Sequence, residues 1–536
     1  MNKLINKLTG IVLVFAVIIS TIVLFPYKAD ASEKPAIELN LSTTGASVAP
    51  IKLYASVTSG NELAAVKYTS GRHKPGFFKS EKYAYRVKNM AFSGTESNRT
   101  FKIRRNATYT FYAEDIYGNY SVQTIKISNM KEEERAVWVS FLEFSDEGYT
   151  EEEFDAHIDE MFDTIKADNF NTVYAIVRPF SDAMYPSKYF PYSVYCSGTQ
   201  GLDPGFDPFQ YMVNAAKLRG LKIYAYINPY RVCKKAEYKK MYKGDGSVRG
   251  VLDGTTVNPA NPAYVWANDD NPDNDRNVLY YSGYYYYNPA VPEVQNLIVD
   301  GVKEIIENYD VDGIIFDDYF YPTLGSKYKK LFDYKEYNAY IDECNANGTV
   351  PEFNNIADWR RNNISTLVKS VYEAVKNYNS SLKFGISPAG NPSNLRSDQK
   401  YYVDIDKWCS NDGYIDFIAP QLYWGFTHKI CPFEGTVQNW INIVSNKSID
   451  LYITLPMHDA EAFRVSTKKK DKADYSDEEK EWTGSTDVLA RMIKYIRNNE
   501  SELDGFSLFR YNFMTDPYLT SEGARTERDN VVKEMK

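Results

Sequence analysis

The chain has 536 residues and a formal net charge of −9, and this acidic balance argues against a nucleic-acid partner and against electrostatic binding of anionic polymers. Its five cysteines show no CxxC spacing and its four histidines form no HExxH motif. A disulfide framework, a metal site and a cofactor are therefore not predicted.

Residues 1–31 have the pattern of a secretory signal peptide. Lys3 and Lys7 precede an apolar run from Ile11 to Phe25, and Ala29-Asp30-Ala31 provides a small-residue cleavage site. The run is shorter than the ~20 residues that span a membrane comfortably, and an uncleaved anchor is the alternative. Cleavage would remove three lysines and one aspartate and change the net charge from −9 to −11. We therefore expect a secreted or cell-surface protein, with no transmembrane segment in the mature chain.

The segment from residue 32 to residue 130 predicts a small β-sandwich. It is rich in Ser, Thr, Val and Tyr, it alternates apolar and polar residues in runs such as Ile51–Val57 and Tyr109–Ala113, and turn residues such as Ser59-Gly60-Asn61 separate the runs. Its last two strands resemble those of bacterial immunoglobulin-like modules, which usually act as spacers or weak binding domains. The charged segment 131–135 is the natural linker.

From residue 134 to residue 520, short apolar strands alternate with loops and amphipathic helical segments. The candidate strands are Ala136–Ser140, Thr172–Val177, Lys222–Ile227, Gly313–Phe316, Lys383–Ile386, Phe417–Pro420, Tyr452–Leu455 and Gly505–Phe509. This alternation predicts the α/β class and a (β/α)8 TIM barrel. The length beyond the ~250 residues of a minimal barrel falls in the loops after the third and fourth strands, on the face where barrel enzymes carry their chemistry.

The fourth candidate strand ends in two adjacent carboxylates, Asp317 and Asp318, which are followed by Tyr319 and Tyr321. Gly313–Phe316 is a short apolar run of the kind that a buried parallel strand needs. Adjacent strand residues point to opposite faces, so we expect one aspartate to react and the other to hold the substrate or a neighbour. The alternative is that the pair caps the turn that follows.

The ends of the other strands bring more polar and aromatic side chains to the same face, including Glu143 after the first strand and Arg510 after the last. The predicted substrate-binding residues are Arg178, Tyr185, Asn228, Tyr230, Arg231, Tyr319, Tyr321, Gln421, Tyr423, Trp424, His458 and Asp459. Such a mouth suits glycoside cleavage, in which one acid protonates the leaving oxygen and another carboxylate attacks or activates water. The tyrosine-rich segment 280–287 is either a sugar-binding surface or a twisted aromatic hairpin.

Several motifs, in chain order, resemble the bacterial glycosyl-hydrolase-like barrel family over about residues 134 to 515. They include Val177-Arg178-Pro179, the segments 226–231 and 312–322, and Ala419 to Trp424. The resemblance implies cleavage of peptidoglycan glycan strands that have lost their stem peptides. The family is also distantly similar to retaining α-glycosidase barrels, whose nucleophile ends strand four in the pattern Asp-Gly-x-x-x-Asp. Here that pattern runs from Asp312 to Asp317, so the resemblance assigns the nucleophile to Asp317.

The proton donor stays open at this point. Related barrels carry it after strand five or six, but those strands here end in Ser-Pro-Ala-Gly and Gln-Leu-Tyr-Trp, without a carboxylate. The candidates are Asp318, Asp182, and the pair formed by Asp459 and Glu461. A non-catalytic carbohydrate-binding barrel is the alternative function, and a metal hydrolase is less favoured because paired ligand histidines are absent from the sequence.

Overall fold

The computed structural model describes residues 33–536 apart from 46, 49, 104–105, 234–251, 253, 255–256 and 500–501. The chain divides into two compact units between Lys131 and Glu132. The predicted signal peptide, residues 1–31, lies outside the described residues. In the part of the chain that is described, no helix has both the length and the apolar character needed to cross a membrane.

The N-terminal unit contains two antiparallel sheets. Its elements are β1 (Ala36–Leu41), β2 (Ile51–Thr58), β3 (Leu63–Ser70), α1 (Pro75–Lys79), β4 (Lys88–Asn89), β5 (Glu96–Ile103), β6 (Ala107–Asp115) and β7 (Tyr120–Ile127). The sheet orders are β1-β2-β5 and β4-β3-β6-β7. Alternate residues of β2, such as Leu53 and Val57, share one core with Val66 and Phe111 of the other sheet, as the alternating pattern requires. Its assignment as immunoglobulin-like stays a prediction.

The second unit is a closed barrel of eight parallel strands. Its strands are β8 (Glu134–Val139), β9 (Thr172–Arg178), β10 (Lys222–Ile227), β13 (Gly313–Phe316), β14 (Lys383–Ile386), β15 (Phe417–Ile418), β16 (Asp450–Pro456) and β17 (Gly505–Phe509), while β11 (Val278–Tyr281) and β12 (Tyr284–Tyr287) form a separate hairpin. Neighbours follow chain order, and β17 pairs with β8 to close the ring. The predicted (β/α)8 barrel is confirmed.

Helices cover the strands and extend the loops. They are α2 (Glu151–Ala167), α3 (Val194–Ser197), α4 (Pro208–Leu218), α5 (Pro262–Asn268), α6 (Pro292–Asn308), α7 (Tyr334–Ala346), α8 (Ile356–Tyr378), α9 (Pro392–Leu395), α10 (Ile405–Trp408), α11 (Phe433–Ile443), α12 (Asp459–Ser466), α13 (Asp477–Gly484), α14 (Val488–Asn498) and α15 (Glu522–Met535). In α2, Thr150 and Glu153 form a capping box, and Phe154, Ile158 and Ile165 are buried on one face because their spacing follows the helical period.

Aromatic rings fill the barrel interior. Trp138 packs edge to face on Tyr174 with 4.9 Å between ring centroids, and Tyr174 packs in the same way on Tyr224 at 5.5 Å. Phe417 lies 5.6 Å from Tyr224. Gly385 on β14 makes room for that ring, because a Cβ atom there would lie 2.3 Å from Phe417. A glycine in mid-strand is therefore required by a side chain on the neighbouring strand.

An ion pair joins the segments that follow the first and last strands of the barrel. Arg510, after β17, lies with Nη1 2.7 Å from Oε1 of Glu143, and Oε2 of Glu143 accepts hydrogen bonds from the backbone and hydroxyl of Ser140. The backbone N–H of Asn512 also donates to Glu143. Glu143 is buried and its oxygens are occupied, so it closes the barrel and is not available as a reacting carboxylate.

Candidate active site

Asp317 lies at the base of the barrel mouth, one residue beyond β13, and is 2% exposed. The hydroxyl of Tyr226, from the neighbouring strand β10, donates to Oδ2 at 2.7 Å, and the backbone N–H of Tyr319 donates to Oδ1 at 3.2 Å. The Tyr226 ring is held edge to face by Trp138 at 4.9 Å. Both oxygens of Asp317 therefore accept hydrogen bonds from groups whose positions are set by the barrel core.

Asp318 faces the same mouth from the other side. It is half-buried and accepts a hydrogen bond from the side chain of Gln421, which follows β15. The expectation that the two aspartates would point to opposite faces does not hold, because the strand ends at Phe316 and regular alternation ends with it. The turn-capping alternative applies in part, since Asp317 does accept the Tyr319 N–H.

The two carboxyl groups form an electrostatically coupled pair. Burial, and then the neighbouring charge of Asp318, raise the pKa of Asp317 to about 8, against the hydrogen bonds from Tyr226 and Tyr319. Burial raises the pKa of Asp318 to about 6, opposed by Arg231 and Gln421. When two carboxyl groups share a site, they lose their protons in two successive steps, and the two pKa values describe the pair and not the individual residues. Between about pH 6 and about pH 8 the pair therefore holds one proton.

Arg231 stands beside this pair with its guanidinium among aromatic rings. The group lies 4.5 Å from the ring centroid of Tyr319, 5.0 Å from that of Tyr284 and 5.4 Å from that of Phe180. The β11–β12 hairpin positions it, because Arg231 forms a backbone bridge with Tyr286. The tyrosine-rich segment is thus an aromatic hairpin, and its Tyr284 contributes to the mouth.

A third carboxyl group, Asp459, lies beyond Tyr423 and next to His458. Nδ1 of His458 is 3.2 Å from the carbonyl oxygen of Phe509, so Nδ1 carries the hydrogen, and Nε2 faces Oδ1 of Asp459 at 3.3 Å. Burial lowers the pKa of His458, and burial together with Glu478 raises the pKa of Asp459 to about 8. A pKa of about 8 makes the protonated form of Asp459 the main form at neutral pH.

Aromatic side chains form the walls above these groups. Tyr319 is 43% exposed, and Tyr423 and Trp424 are half-buried. Tyr423 packs edge to face on His458 at 5.2 Å, and its phenol has a pKa raised well above the usual value by burial and by the charges of Asp318 and Asp459. The phenol thus lies within electrostatic reach of both ends of the mouth.

Three of the predicted substrate-binding side chains, Arg178, Tyr185 and Tyr230, are 0% exposed. The guanidinium of Arg178 lies 3.8 Å from the ring centroid of Phe190 and packs against Gly301 of α6. Tyr185 packs against the rings of Phe209 and Tyr309. The structure therefore places these three side chains beneath the mouth, where they support its loops and cannot touch a substrate.

Tyr321 and Asn228 are also buried, each in a structural hydrogen bond. The hydroxyl of Tyr321 donates to Asp333 at 2.6 Å, and Asp333 pairs with Arg360 at 2.6 Å. Oδ1 of Asn228 accepts the backbone N–H of Arg231 at 3.3 Å. Tyr321 therefore belongs to a buried network and not to the exposed aromatic wall, while Asn228 positions the segment that carries Arg231.

Two of the candidate proton donors are held by hydrogen bonds elsewhere in the unit. Asp182 accepts the backbone N–H of Phe180 at 3.2 Å and the amide of Gln200 at 3.3 Å, and burial raises its pKa to about 6. Glu461 accepts hydrogen bonds from Thr520 and Ser521. Burial opposes its ionisation, but these bonds outweigh burial and lower the pKa of Glu461. Among the proton-donor candidates, this leaves Asp318 and Asp459 at the mouth.

The sequence-based selection missed Tyr226 and Glu478, and it included Tyr284 only as part of the tyrosine-rich segment 280–287. A signal for Tyr226 existed, because it lies two residues after the inward-facing Tyr224 on β10 and shares its face. Glu478 comes from α13, which has no recognisable relation to the mouth in the sequence.

Among the described residues, no cluster of three or more His, Cys, Asp or Glu side chains is arranged to hold a metal ion. A separate surface cavity of about 800 Å³, lined by Asn391, Arg396 and Asp406 among others, contains none of the three mouth carboxyl groups.

Comparison with known proteins identifies a family for the barrel unit. Residues 133–477 match the family described as glycosyl hydrolase-like 10. The glycosyl hydrolase YngK of Bacillus subtilis is 29% identical to this chain, and the alignment covers 66% of this chain. It also covers 66% of YngK, so this chain spans just under two thirds of that relative. The glycosyl hydrolase DigH of Escherichia coli K12 is 30% identical, and the alignment covers 68% of this chain and 76% of the DigH chain. The PgaB (BpsB) glycoside hydrolase domain from Bordetella bronchiseptica aligns with a TM-score of 0.44 and 15% identity over 74% of this chain and 98% of that domain.

Proposed function

This chain belongs to the glycosyl hydrolase-like 10 family, and on that premise we propose that it is a secreted glycoside hydrolase that cleaves the glycan strands of bacterial cell walls. The proposal of glycoside hydrolysis depends on one observation, the electrostatically coupled pair Asp317 and Asp318 at the barrel mouth. Such a pair supplies one ionised and one protonated carboxyl group at neutral pH, as glycoside hydrolysis requires.

We assign the nucleophile to Asp317 and the proton donor to Asp318. The pKa order alone would leave the proton on Asp317. However, the two pKa values belong to the pair and do not by themselves locate the shared proton, and hydrogen bonds from Tyr226 and from the backbone of Tyr319 fix the orientation of the Asp317 carboxylate. Asp318 is more exposed and has room to present a proton to a leaving oxygen. The Asp-Gly-x-x-x-Asp resemblance supports the same assignment.

The proposed reaction has two steps. The Asp317 carboxylate attacks the anomeric carbon while the bond to the leaving oxygen breaks; the electron pair of that bond goes to the oxygen, which takes the proton of Asp318. Water then gives a proton to the Asp318 carboxylate and attacks the same carbon, and Asp317 leaves as a carboxylate. The net change is hydrolysis with retained configuration, which needs carboxyl groups ~5 Å apart.

Asp459 is the alternative proton donor, because burial raises its pKa to about 8 and its charge, like that of Asp318, acts on the phenol of Tyr423. An aryl glycoside with a good leaving group separates the two possibilities, since such a leaving group departs without protonation. The variant that loses activity on glycan strands but keeps it on the aryl glycoside, Asp318→Asn or Asp459→Asn, identifies the donor.

The substrate and location rest on other observations. The resemblance of the barrel motifs implies a cell-wall glycan, and residues 1–31 have the pattern of an export signal. Exposed or half-buried rings at the mouth, Tyr319, Tyr423 and Trp424, suit the apolar faces of sugar rings.

The test is incubation of the mature protein with peptidoglycan strands freed of stem peptides, followed by measurement of new reducing ends. We expect their release by the wild type and by Tyr174→Phe, whose hydroxyl has no partner among the described residues. Asp317→Asn should release none. Binding of the strands without release by the wild type would favour the non-catalytic alternative and refute the proposal.

A further inference from the structure

We propose that Arg231 binds a carboxylate carried by the substrate, so that the enzyme selects an acidic sugar at the reacting centre. The inference rests on the proposed function, because it names the sugar class that the same mouth accepts. It also revises an expectation from composition: an acidic protein can still bind an anionic glycan if one cation is placed at the site of contact.

The first observation is that the described residues offer the guanidinium of Arg231 neither a carboxylate nor a hydrogen-bond acceptor within reach. Among the described residues, the guanidinium makes no ion pair within 4.0 Å and no hydrogen bond. The hydrogen bond from Arg231 to Oδ1 of Asn228 comes from the backbone N–H and does not involve the guanidinium. Other arginines of the barrel unit are paired: Arg510 with Glu143 at 2.7 Å and Arg360 with Asp333 at 2.6 Å. Arg178 also lacks a partner but is fully buried. Arg231 is half-buried, so its N–H donors remain available to a ligand.

The second observation is that the side chain is already held in place. The rings of Tyr319 and Tyr284 lie within 5.0 Å of the guanidinium, and that of Phe180 within 5.4 Å. Rings that contact the flat guanidinium restrict its rotation and leave its edges, where the N–H groups are, free to donate. Binding a ligand then costs little additional side-chain entropy.

The third observation concerns charge. Arg231 lies close enough to Asp317 and Asp318 to oppose the rise in their pKa values. Without it, the negative charge of the pair would repel an acidic sugar. A cation beside the catalytic pair therefore offsets that repulsion as well as providing a specific contact.

The planar fork of an arginine matches a carboxylate, because two parallel N–H groups reach both oxygens. Sugars carry carboxylates in two common ways: as a lactyl acid joined by an ether to a hexosamine, or as the C6 acid of a hexuronic acid. An amide on the lactyl acid removes its charge.

The experiment compares four glycans and four proteins. The glycans are peptide-free peptidoglycan strands, the same strands with their carboxylates converted to neutral amides, hyaluronan, and chitin oligosaccharides. The proteins are the wild type, Arg231→Gln, Arg231→Lys and, as the matched control, Arg219→Gln. Arg219 follows α4 and pairs with Asp159 at 2.8 Å and Asp163 at 2.7 Å, so its loss changes the net charge equally, at the opposite end of the barrel.

We expect Arg231→Gln to lower kcat/KM on peptide-free strands by about 10- to 100-fold, the range for hydrogen bonds to a charged group. On amidated strands and chitin, Arg231→Gln and the wild type should be equally slow, and Arg231→Lys should recover part of the loss. Equal losses on charged and neutral glycans would overturn the inference, because Arg231 would then act on the aspartates alone. So would wild-type cleavage of amidated strands at the rate of charged ones.

The two proposals can fail separately. Cleavage of hyaluronan but not of peptidoglycan strands, lost in Arg231→Gln, would support the carboxylate contact and refute the cell-wall substrate. If the wild type cleaves none of the four glycans, the proposed function fails, and equilibrium binding decides the inference. Tighter binding of the acidic glycans that disappears in Arg231→Gln supports it, and equal binding of acidic and neutral glycans overturns it.

Discussion

The hydrogen bond from Tyr226 to Asp317 should set the acidic side of the pH profile of this enzyme. The substitution Tyr226→Phe removes the hydroxyl that lies 2.7 Å from Oδ2 of Asp317 and keeps the ring that packs on Trp138. Burial and the Asp317 carboxylate hold the pKa of the Tyr226 phenol well above its usual value, so in the wild type the phenol remains a donor across the working range of pH.

The size of the effect follows from the strength of that bond. A hydrogen bond to a charged group contributes about 1.5 to 3 kcal/mol, and one pKa unit corresponds to about 1.4 kcal/mol. Loss of the donor should therefore raise the pKa of Asp317 by about 1 to 2 units. The active form of the pair carries one proton, on Asp318, so activity appears as Asp317 ionises and disappears as Asp318 does.

The wild type should accordingly show a bell-shaped profile of kcat/KM between the two pKa values of the pair, about 6 and about 8. In Tyr226→Phe, the acidic limb should move up by about 1 to 2 pH units, while the alkaline limb stays in place. Reducing-end release measured from pH 4 to pH 10 gives both limbs. Tyr174→Phe, which removes a buried hydroxyl without a described partner, is the control.

The direction of the shift tests the assignment of roles. If Asp317 were the donor and Asp318 the nucleophile, loss of the Tyr226 bond would raise the second ionisation and move the alkaline limb upward. A shift of that limb alone would reverse our assignment. An unchanged profile would show that the Tyr226 bond does not control the ionisation of the reacting pair.

Further predictions concern the pair, the mouth and the barrel core. Azide should restore activity to Asp317→Ala and not to Asp318→Ala; restoration only in the latter would exchange their roles. Because burial raises the pKa values of the pair Asp317 and Asp318 from the usual value near 4 to about 8 and about 6, the stability contributed by the protonated pair is present below about pH 4 and is lost as the pH rises through 8. The Tm of Asp317→Asn should therefore rise relative to that of the wild type between these pH values, and a constant difference would contradict the raised pKa. Trp424→Ala should weaken glycan binding by about 1.5 to 3 kcal/mol with little change in Tm; a lower Tm with unchanged binding would assign the ring to the core. Gly385→Ala should destabilise the barrel by about 1 to 3 kcal/mol through contact with Phe417, seen as a lower Tm, and an unchanged Tm would mean that the ring can move aside.

The barrel could be predicted because its signals are local. Each strand is a short apolar run between turn residues, and amphipathic helical segments separate the strands, so the pattern along the chain predicted a parallel barrel and the face that carries its loops. That face includes the ends of β13, β15 and β16, from which Asp317, Gln421 and Asp459 were selected. Alternation within β10 could also have identified Tyr226, whose ring points inward like that of Tyr224.

Which of these side chains a substrate can reach was decided only by the tertiary structure. Arg178 and Arg231 both follow barrel strands and look equivalent in the sequence, yet Gly301 and Phe190 enclose the first, while rings from the β11–β12 hairpin leave the second half-buried. Asp317 and Asp318 both face the mouth because regular strand geometry ends at Phe316. Beyond the last strand residue, the direction of a side chain depends on contacts between segments far apart in the chain, and spacing along the sequence carries no record of those contacts.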